Sequence, residues 1–591
     1  MKKFALTAIG AKYIHSSLAL RYLSRFADND RRHDLTLVEF TINQRLEFML
    51  AELFRLQPDV IMVSCYIWNI ELVKRLLPEL KKVLPDVVIV LGGPEVSYSS
   101  RALLEREPAV DMIMRGEGEA TITELLDYLD GAPITLSSIK GLTYRSGGEI
   151  CQTPEREPLD LALLPFAYEH DELAGMDKII YYESSRGCPY SCAYCLSSVE
   201  KGVRFVPLDK VFAELARFLQ AGVRQVKFVD RTFNCNKAHT LAVWRFLAEH
   251  DNGVTNFHFE LTADLLDEEL LAFLQPLRRG LFQFEIGVQS TNAQTLQAIR
   301  RSVSFERLRG LVKRVHGFGN IHQHLDLIAG LPYEDYASFG RSFNDVYELE
   351  PEQLQLGFLK VLSGTYLAEQ AEKWGIKSRD YAPYEVLCTE AMGPGEMLRL
   401  KDVAEMVELF YNSGQFQHTL RALLDHEANA FGFYEALAER WVQQGQQYAS
   451  HSRLSLCDFL YDFARTRPGF APERFKWLLK LDLCLHEKPK RLPAWLDKDL
   501  SGAYRAQIID FWRTEAQTRR WLPHLAHLES KALARQAHLE IFPDRTVLLF
   551  DYAHRDMLGS AHCMEITEAF WQAWPKKEAG NEKSMGKKGV L

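Results

Sequence analysis

At 591 residues the chain is too long for one hydrophobic core, and its length predicts three or four domains. A hydrophobic share of 47% and a charged share of 25% are those of a soluble globular protein, which excludes a disordered or collagen-like chain. The net charge of -9 argues against a general nucleic-acid or anionic-membrane binder, although a local basic groove stays open.

The N-terminal stretch MKKFALTAIGAKYIHSS holds a short apolar run with no small-residue cleavage site after it. It reads as a first strand, not as a signal peptide. No apolar run approaches the ~20 residues that span a bilayer. Ten cysteines are too sparse for a secreted disulfide scaffold. A cytoplasmic protein without membrane attachment is expected.

Strand patterns run over residues 4–9, 35–40, 59–65, 87–91 and 110–114, with amphipathic helices over 16–26, 70–83 and from 119 to 129. The run DVIMVSC at 59–65 is apolar almost throughout, as in a parallel strand buried on both faces. Five strands separated by helices make a doubly wound α/β domain, whose ligands sit beyond the carboxyl ends of the strands. Gly92-Gly93-Pro94 and Arg115-Gly116-Glu117-Gly118-Glu119 lie at that edge, after the fourth and fifth strands. No G-x-G-x-x-G follows the first strand, so a dinucleotide is not the favoured ligand.

Glycines and prolines between 131 and 175 read as a small strand pair and a linker. Alternation resumes with strands at 179–183, 225–229, 256–262, 281–288, 323–329 and 354–361, with helices between them. Six βα repeats predict a partial (βα)6 barrel, open on one side, with active groups on the loops after the strands. Beyond 370 the sequence turns helical, over 401–422, 425–448, 452–467, 472–483 and 501–518. A β-hairpin at 539–542 and 547–552 follows, turning at Asp544-Arg545. From Pro575 the chain is polar and lysine-rich, and is expected to be disordered. The expected organisation is α/β: a Rossmann-like domain at 1–135, a linker at 136–175, a barrel at 176–370, a mainly α-helical domain at 371–574 and a tail at 575–591. The stretch YAPYEVLC at 381–388 reads as a core strand or as a loop near substrate.

Cys188, Cys192 and Cys195 follow the first barrel strand with the spacing C-x3-C-x2-C. A disulfide uses two cysteines, and a closed zinc or iron–sulfur site uses four ligands. A zinc site would need a remote fourth ligand, with Cys151, Cys235, His239 and His258 as candidates. The favoured reading is a 4Fe–4S cluster held by three thiolates, whose fourth iron is open to a small molecule. Cys235 reads by default as a core thiol.

C-x3-C-x-aromatic-C after the first strand of a βα barrel resembles the radical S-adenosylmethionine (SAM) superfamily, with Tyr194 in the aromatic slot. The resemblance implies that SAM binds the open iron and is cleaved to methionine and a 5'-deoxyadenosyl radical. Further segments are similar in order. Asp230 ends the second strand and Glu260 the third. Glu285-Ile286-Gly287-Val288-Gln289-Ser290 ends the fourth, followed by Arg300 and Arg301 at the place of a SAM-carboxylate contact. The segment from Asp326 to Leu331 and Pro332 resembles the motif that flanks adenine. The resemblance thus implies SAM contacts from Tyr194, Asp230, Glu260, Glu285, Gln289, Ser290, Arg300, Leu331 and Pro332.

An α/β domain before such a barrel resembles the cobalamin-binding arrangement, which implies a B12 site. Its contacts would come from Tyr13, His15, Ser64, Gly92, Gly93, Pro94, Glu95, Arg115, Gly116, Glu117 and Gly118. Backbone close to a corrin tail needs glycine, and a helix N-terminus can hold its phosphate. The D-x-H-x-x-G signature of a lower cobalt ligand is absent: His15 stands in YIHSSL, where it fits a helix start capped by Ser16 or Ser17. The order of domains resembles the cobalamin-binding radical SAM subgroup with a C-terminal domain of unknown function.

That resemblance implies a radical SAM enzyme, a methyltransferase acting on an unactivated centre, fed by a low-potential donor such as flavodoxin or ferredoxin. The substrate itself stays open. One alternative is a radical SAM cyclase, a rearrangement enzyme or a sulfur-inserting enzyme. Methylthio transfer is disfavoured because only Cys65 and Cys151 precede the motif. An alternative of another class is a non-catalytic sensor binding cluster and cobalamin.

Overall fold

The computed structural model describes residues 2–574 apart from 29–31, 177, 200–201, 448, 490–491, 494, 497–502 and 557. It divides into two compact units, Met1–Leu400 and Lys401–Leu591.

The first unit opens with β1 (Lys3–Gly10), β2 (Asp34–Thr41), β3 (Val60–Ser64), β4 (Val88–Gly92) and β5 (Met112–Met114), then β6 (Leu142–Ser146) and β7 (Glu149–Gln152). They form one sheet in the order β2-β1-β3-β4-β5-β6-β7. The first five are parallel. The last two add antiparallel, so the strand pair inside the stretch expected as a linker extends the first sheet. Leu142 and Tyr144 explain this, because they join the apolar layer on one face. Side chains alternate across a strand. Phe4, Leu6 and Ala8 therefore pack under the helices Leu18–Ala27 and Glu119–Leu129. Ala5 and Ile9 pack under Leu46–Leu56 and Ile70–Val83. The helix Leu46–Leu56 is missing from the sequence reading, although Leu46, Met49, Leu50 and Leu53 recur at helical spacing and face the core.

The barrel strands are β8 (Ile180–Tyr182), β11 (Gln225–Phe228), β12 (Asn256–Leu261), β13 (Phe282–Gln289), β14 (His322–Ala329) and β15 (Gln353–Phe358). Between the first two stands a hairpin, β9 (Ser185–Cys188) and β10 (Gly202–Phe205), which the sequence reading lacks. The six strands are parallel, in the order β15-β14-β13-β12-β11-β8. Among the described residues no ladder joins β15 to β8, so the barrel is open. Trp244 of the helix Lys237–Glu249 packs on Phe259, Phe282 and Phe284 and seals the outer face. The opposite side chains face the lumen. β16 (Lys377–Ser378) and β17 (Val386–Cys388) follow, so the stretch 381–388 carries a short strand.

The second unit contains the helices Gln417–Leu424, Ala430–Gln443, Arg453–Ala464, Pro472–His486 and Arg505–Thr518. A three-stranded antiparallel sheet follows, β18 (Ala537–Ile541), β19 (Val547–Arg555) and β20 (Ala561–Glu565). The expected hairpin thus gains a third strand, whose sequence AHCME lacks a clear apolar alternation. The helix expected over 401–422 is interrupted by a π-helical stretch, Val407–Asn412, and by Gly414 at φ +66°. The tail expected from Pro575 lies outside the described residues. No described helix is long and apolar enough to cross a membrane.

Candidate active site

The cysteine loop begins at the end of β9. Cys188, Cys192 and Cys195 are free and half-buried. The loop is fastened by its backbone: Ala193 N–H donates to the Ile299 carbonyl at 3.0 Å, and Leu367 N–H donates to the Ala193 carbonyl at 2.8 Å. Thr232 Oγ1 lies 3.5 Å from Cys188 Sγ. Arg301 reaches the loop from the far side. Its Nη1 stands 3.7 Å from Cys192 Sγ and 3.3 Å from Tyr194 Oη, while Nη2 donates to the Gly287 carbonyl at 2.7 Å. Burial pushes the Cys192 thiol up, and the Arg301 charge pulls it back toward the thiolate. Arg300, the other arginine of the pair, has φ +58° and stacks over Tyr366 at 3.3 Å. Arg301 is therefore the guanidinium that faces the cysteines.

Gly187 and Gly287 shape this loop. Gly187 has φ +101°, and a Cβ there would sit 2.2 Å from the Gly202 carbonyl oxygen across the β9–β10 ladder. At Gly287 a Cβ would sit 2.1 Å from Gln289 Nε2, so glycine lets the Gln289 side chain fold back over β13. Gln289 itself has φ +72°, and its Oε1 is buried with no hydrogen-bond partner. A guanidinium and an orphan amide oxygen beside three thiols form a donor set that fits a cluster and a zwitterionic ligand such as SAM.

Other strand-end residues are engaged differently. Asp230 is 1% exposed and accepts from Ser184 N–H at 2.9 Å, Ser184 Oγ at 2.7 Å and Ser185 Oγ at 2.6 Å. It braces the backbone that leads into the cysteine loop. Burial pushes its carboxyl up to about 6, against the pull of those three hydrogen bonds. An unfolded Asp titrates near ~3.9. Proton uptake therefore stabilises the fold fully below that value, and the contribution is lost as pH rises through about 6. Relative to Asp230→Asn, the wild-type chain is expected to lose roughly 3 kcal/mol of unfolding free energy between about pH 4 and about pH 7. Urea unfolding across that range measures it, and a pH-independent difference rejects it.

Ser290 is also buried, and its Oγ donates to Glu334 Oε1 at 2.6 Å. Leu331 is buried, and the Pro332 carbonyl accepts from Thr295 Oγ1 at 3.0 Å. Glu260 and Glu285 point into the lumen, where Lys227 Nζ lies 2.9 Å from Glu285 and 4.0 Å from Glu260. Burial pushes Glu260 up to about 7. Burial also raises Glu285, but His258 and Lys227 hold it well below the usual carboxylate range. Cys235 closes the short turn Phe233–Cys235 and is half-buried.

The carboxyl edge of the first sheet carries the other candidate residues. Gly93 has φ +107°, and a Cβ there would lie 2.6 Å from the Cys65 carbonyl oxygen. Pro94 opens the short helix Pro94–Ser97. Ser64 ends β3, with its Oγ 3.4 Å from the Thr7 carbonyl. Tyr13 and Trp68 are exposed on turns at this edge. The Trp68 ring stacks on Tyr66 at 4.4 Å and 4°, and its Nε1 donates to the Ile9 carbonyl at 3.0 Å. The open turn at Gly116 and flat exposed rings fit the face of a corrin.

His15 does not stand free: its Nδ1 lies 2.7 Å from Tyr181 Oη, and its backbone bridges to Ile179. Ser17 is the residue that caps the first helix. Glu95 accepts from Tyr384 Oη. Arg115 is buried and donates to the Thr153 carbonyl.

Glu117 and Glu119 turn toward the cysteine hairpin instead of the sheet edge. Arg186, two residues before Cys188, donates to Glu119 at 2.8 Å and to both oxygens of Glu183 at 3.0 and 2.8 Å, and lies 3.4 Å from Glu117. Arg204 on β10 also binds Glu117, which accepts Leu159 N–H at 2.7 Å. Gly118 leads into this contact, with room for a Cβ limited by Leu23 at 3.0 Å. The sequence reading does not contain this network. Its signal is the arginine in Arg186-Gly187-Cys188 and the paired acids of the RGEGE turn.

The model described as "B12 binding domain" matches residues 6–126, "Radical SAM superfamily" matches 182–346 and "Protein of unknown function (DUF4080)" matches 372–554. The cobalamin-dependent radical SAM methyltransferase TokK of Streptomyces tokunonensis is 27% identical over 351 residues, 54% of this chain and 50% of that protein. The anaerobic magnesium-protoporphyrin IX monomethyl ester cyclase of Synechocystis is 30% identical over 251 residues, 39% of this chain and 47% of that protein. The chain thus spans about half the length of these curated relatives.

Among solved structures, the radical SAM methyltransferase TsrM of Kitasatospora setae, with cobalamin and a 4Fe–4S cluster bound, matches with TM-score 0.55 at 17% identity. The match covers 65% of this chain and 79% of that one. The cobalamin-dependent radical enzyme OxsB, with aqua-cobalamin and SAM bound, matches with TM-score 0.56 at 16% identity, over 82% and 78%. The three family matches follow one another in the order of the domains described above, and the chain carries an N-terminal B12-binding domain, a radical SAM domain and a C-terminal DUF4080 domain.

Proposed function

We propose that this chain is a cobalamin-dependent radical SAM enzyme that transfers a methyl group to an unactivated carbon or phosphorus centre. The observation that carries the reading is the contact of the B12-binding domain, through Glu117 and Glu119, with the hairpin that presents the three cysteines. When bound, the cluster supplies the electron that cleaves SAM to methionine and a 5'-deoxyadenosyl radical, and cobalamin carries the methyl group.

In this reading Cys188, Cys192 and Cys195 hold the cluster as thiolates. Arg301 meets the SAM carboxylate, and Gln289 Oε1 accepts from its amino group or a ribose hydroxyl. Tyr194, half-buried against Arg301, excludes water from the adenine side. Glycines 92, 93 and 116 and the rings of Tyr13 and Trp68 receive the corrin. The electron comes from a low-potential protein such as flavodoxin or ferredoxin. A reducing, cytoplasmic setting is supported by ten cysteines, none of them paired.

The test is anaerobic reconstitution with iron, sulfide and cobalamin. With dithionite the protein is expected to release 5'-deoxyadenosine and methionine, to retain about one cobalamin per chain, and to lose all SAM cleavage in Cys192→Ala. A reconstituted protein that binds no cobalamin overturns the reading. A cyclase reading draws on the Synechocystis relative. Label transfer from methyl-labelled SAM to product separates the two.

A further inference from the structure

The barrel lumen carries a further set of ionisable groups. Residues two apart on a strand face the same side. Residues 258 and 260, 285, and 324 and 326 therefore face the lumen, while Phe257, Phe259, Phe284 and Leu325 are fully buried on the outer face. Register sets Glu260 beside Glu285, and Glu285 beside His324.

One ligand atom each from Glu285, His324 and Asp326 falls within 4.8 Å of the others. His258 Nε2 lies 3.0 Å from Glu285 Oε2, and His324 Nε2 lies 3.1 Å from Asp326 Oδ1. The two imidazoles are 7% and 8% exposed. Neither contact is aligned as a hydrogen bond: His258 Nε2, His324 Nε2 and Asp326 Oδ1 are buried atoms without a hydrogen-bond partner. Leaving such atoms unmatched costs about 1–3 kcal/mol each. His324 Nε2 and Asp326 Oδ1, lone-pair atoms 3.1 Å apart that share no proton, have the spacing of neighbouring ligands around one ion, since metal–nitrogen and metal–oxygen bonds are about 2.1 Å.

Charge points the same way. Three carboxylates, Glu260, Glu285 and Asp326, face two cations, Lys227 and Arg231. Lys227 takes Oε2 of Glu285 and leaves the other oxygen. Glu285 Oε1 and Asp326 Oδ1 are thereby left as donors for a cation.

We infer that Glu285, His324 and Asp326 form a binding site for a divalent first-row transition-metal ion in the barrel lumen, distinct from the cysteine loop. One imidazole and two carboxylates are borderline donors that suit Zn2+, Mn2+ or Fe2+. The remaining coordination positions face the lumen and accept a water, or a hydroxyl or carboxylate of a small molecule. The site would thus anchor a chelating polar group rather than an apolar chain.

The test uses the reconstituted holoprotein in metal-free buffer, titrated with Mn2+ while the EPR signal of free aqueous Mn2+ is followed. One Mn2+ per chain is expected to bind, and Zn2+ to displace it. His324→Ala and Asp326→Asn are expected to weaken binding by at least about tenfold. Glu285→Gln, which keeps the side-chain volume, guards against a folding defect. Cluster iron and cobalamin content, measured in the same samples, are expected to stay at wild-type level, which separates this site from the proposed chemistry. Absence of Mn2+ and Zn2+ binding, or equal binding by wild type and all three variants, overturns the inference.

Discussion

Arg186→Ala is expected to cost about 3–5 kcal/mol of stability, because it strands buried carboxylates without their cation. Glu119 and Glu183 each bind Arg186 at 2.8 Å and are largely buried. Burial works against the charge of Arg186, but Glu183 and Glu119 outweigh it and hold the guanidinium firmly ionised. Glu117 is less affected, since Arg204 also binds it. Arg186→Lys keeps the charge but loses the planar fork that serves Glu183 and Glu119 together, so it is expected to recover part of the loss. Urea unfolding measures both variants, and iron content after reconstitution reports the cysteine loop two residues away. An Arg186→Ala chain as stable as wild type would show that the network is dispensable.

Gly187→Ala is expected to abolish cluster retention. A φ of +101° alone costs an alanine about 1–3 kcal/mol. The added methyl would also stand 2.2 Å from the Gly202 carbonyl, so the β9–β10 ladder must open next to Cys188. Gly202→Ala is the control: its φ is +91°, but a Cβ there meets no atom within 4 Å. It should pay the backbone cost and still hold iron. Equal iron content in Gly187→Ala and wild type would refute the steric argument.

Much of the architecture was readable because burial on two faces leaves an unmistakable pattern. The strand Val60–Ser64 is buried at every position, and it sits within DVIMVSC. The cysteine triplet was readable from spacing alone, since three ligands on one loop restrict the chemistry. Local pattern failed where partners are remote. Arg186 and Glu119 are 67 residues apart, and nothing in the RGEGE turn reveals that its acids face a neighbouring hairpin instead of the sheet edge. Arg300 and Arg301 are indistinguishable in sequence; the positive φ at Arg300 turns the chain so that one stacks on Tyr366 and the other meets Cys192. The lumen histidines were hidden for another reason. His324 alternates with Gln323 and Leu325 as in any half-buried strand, and only the pairing of β14 with β13 sets it beside Glu285.

The bond from Tyr384 to Glu95 has a consequence for how the chain is made. Its partners are separated by 289 positions. At ribosomal rates of about 5–20 residues per second, roughly 15–60 s pass between synthesis of the one and arrival of the other. Through that interval the GGPE turn exists without the tyrosine that later covers its glutamate. The nascent first domain thus has a period in which its sheet edge is accessible from a direction that the finished protein closes.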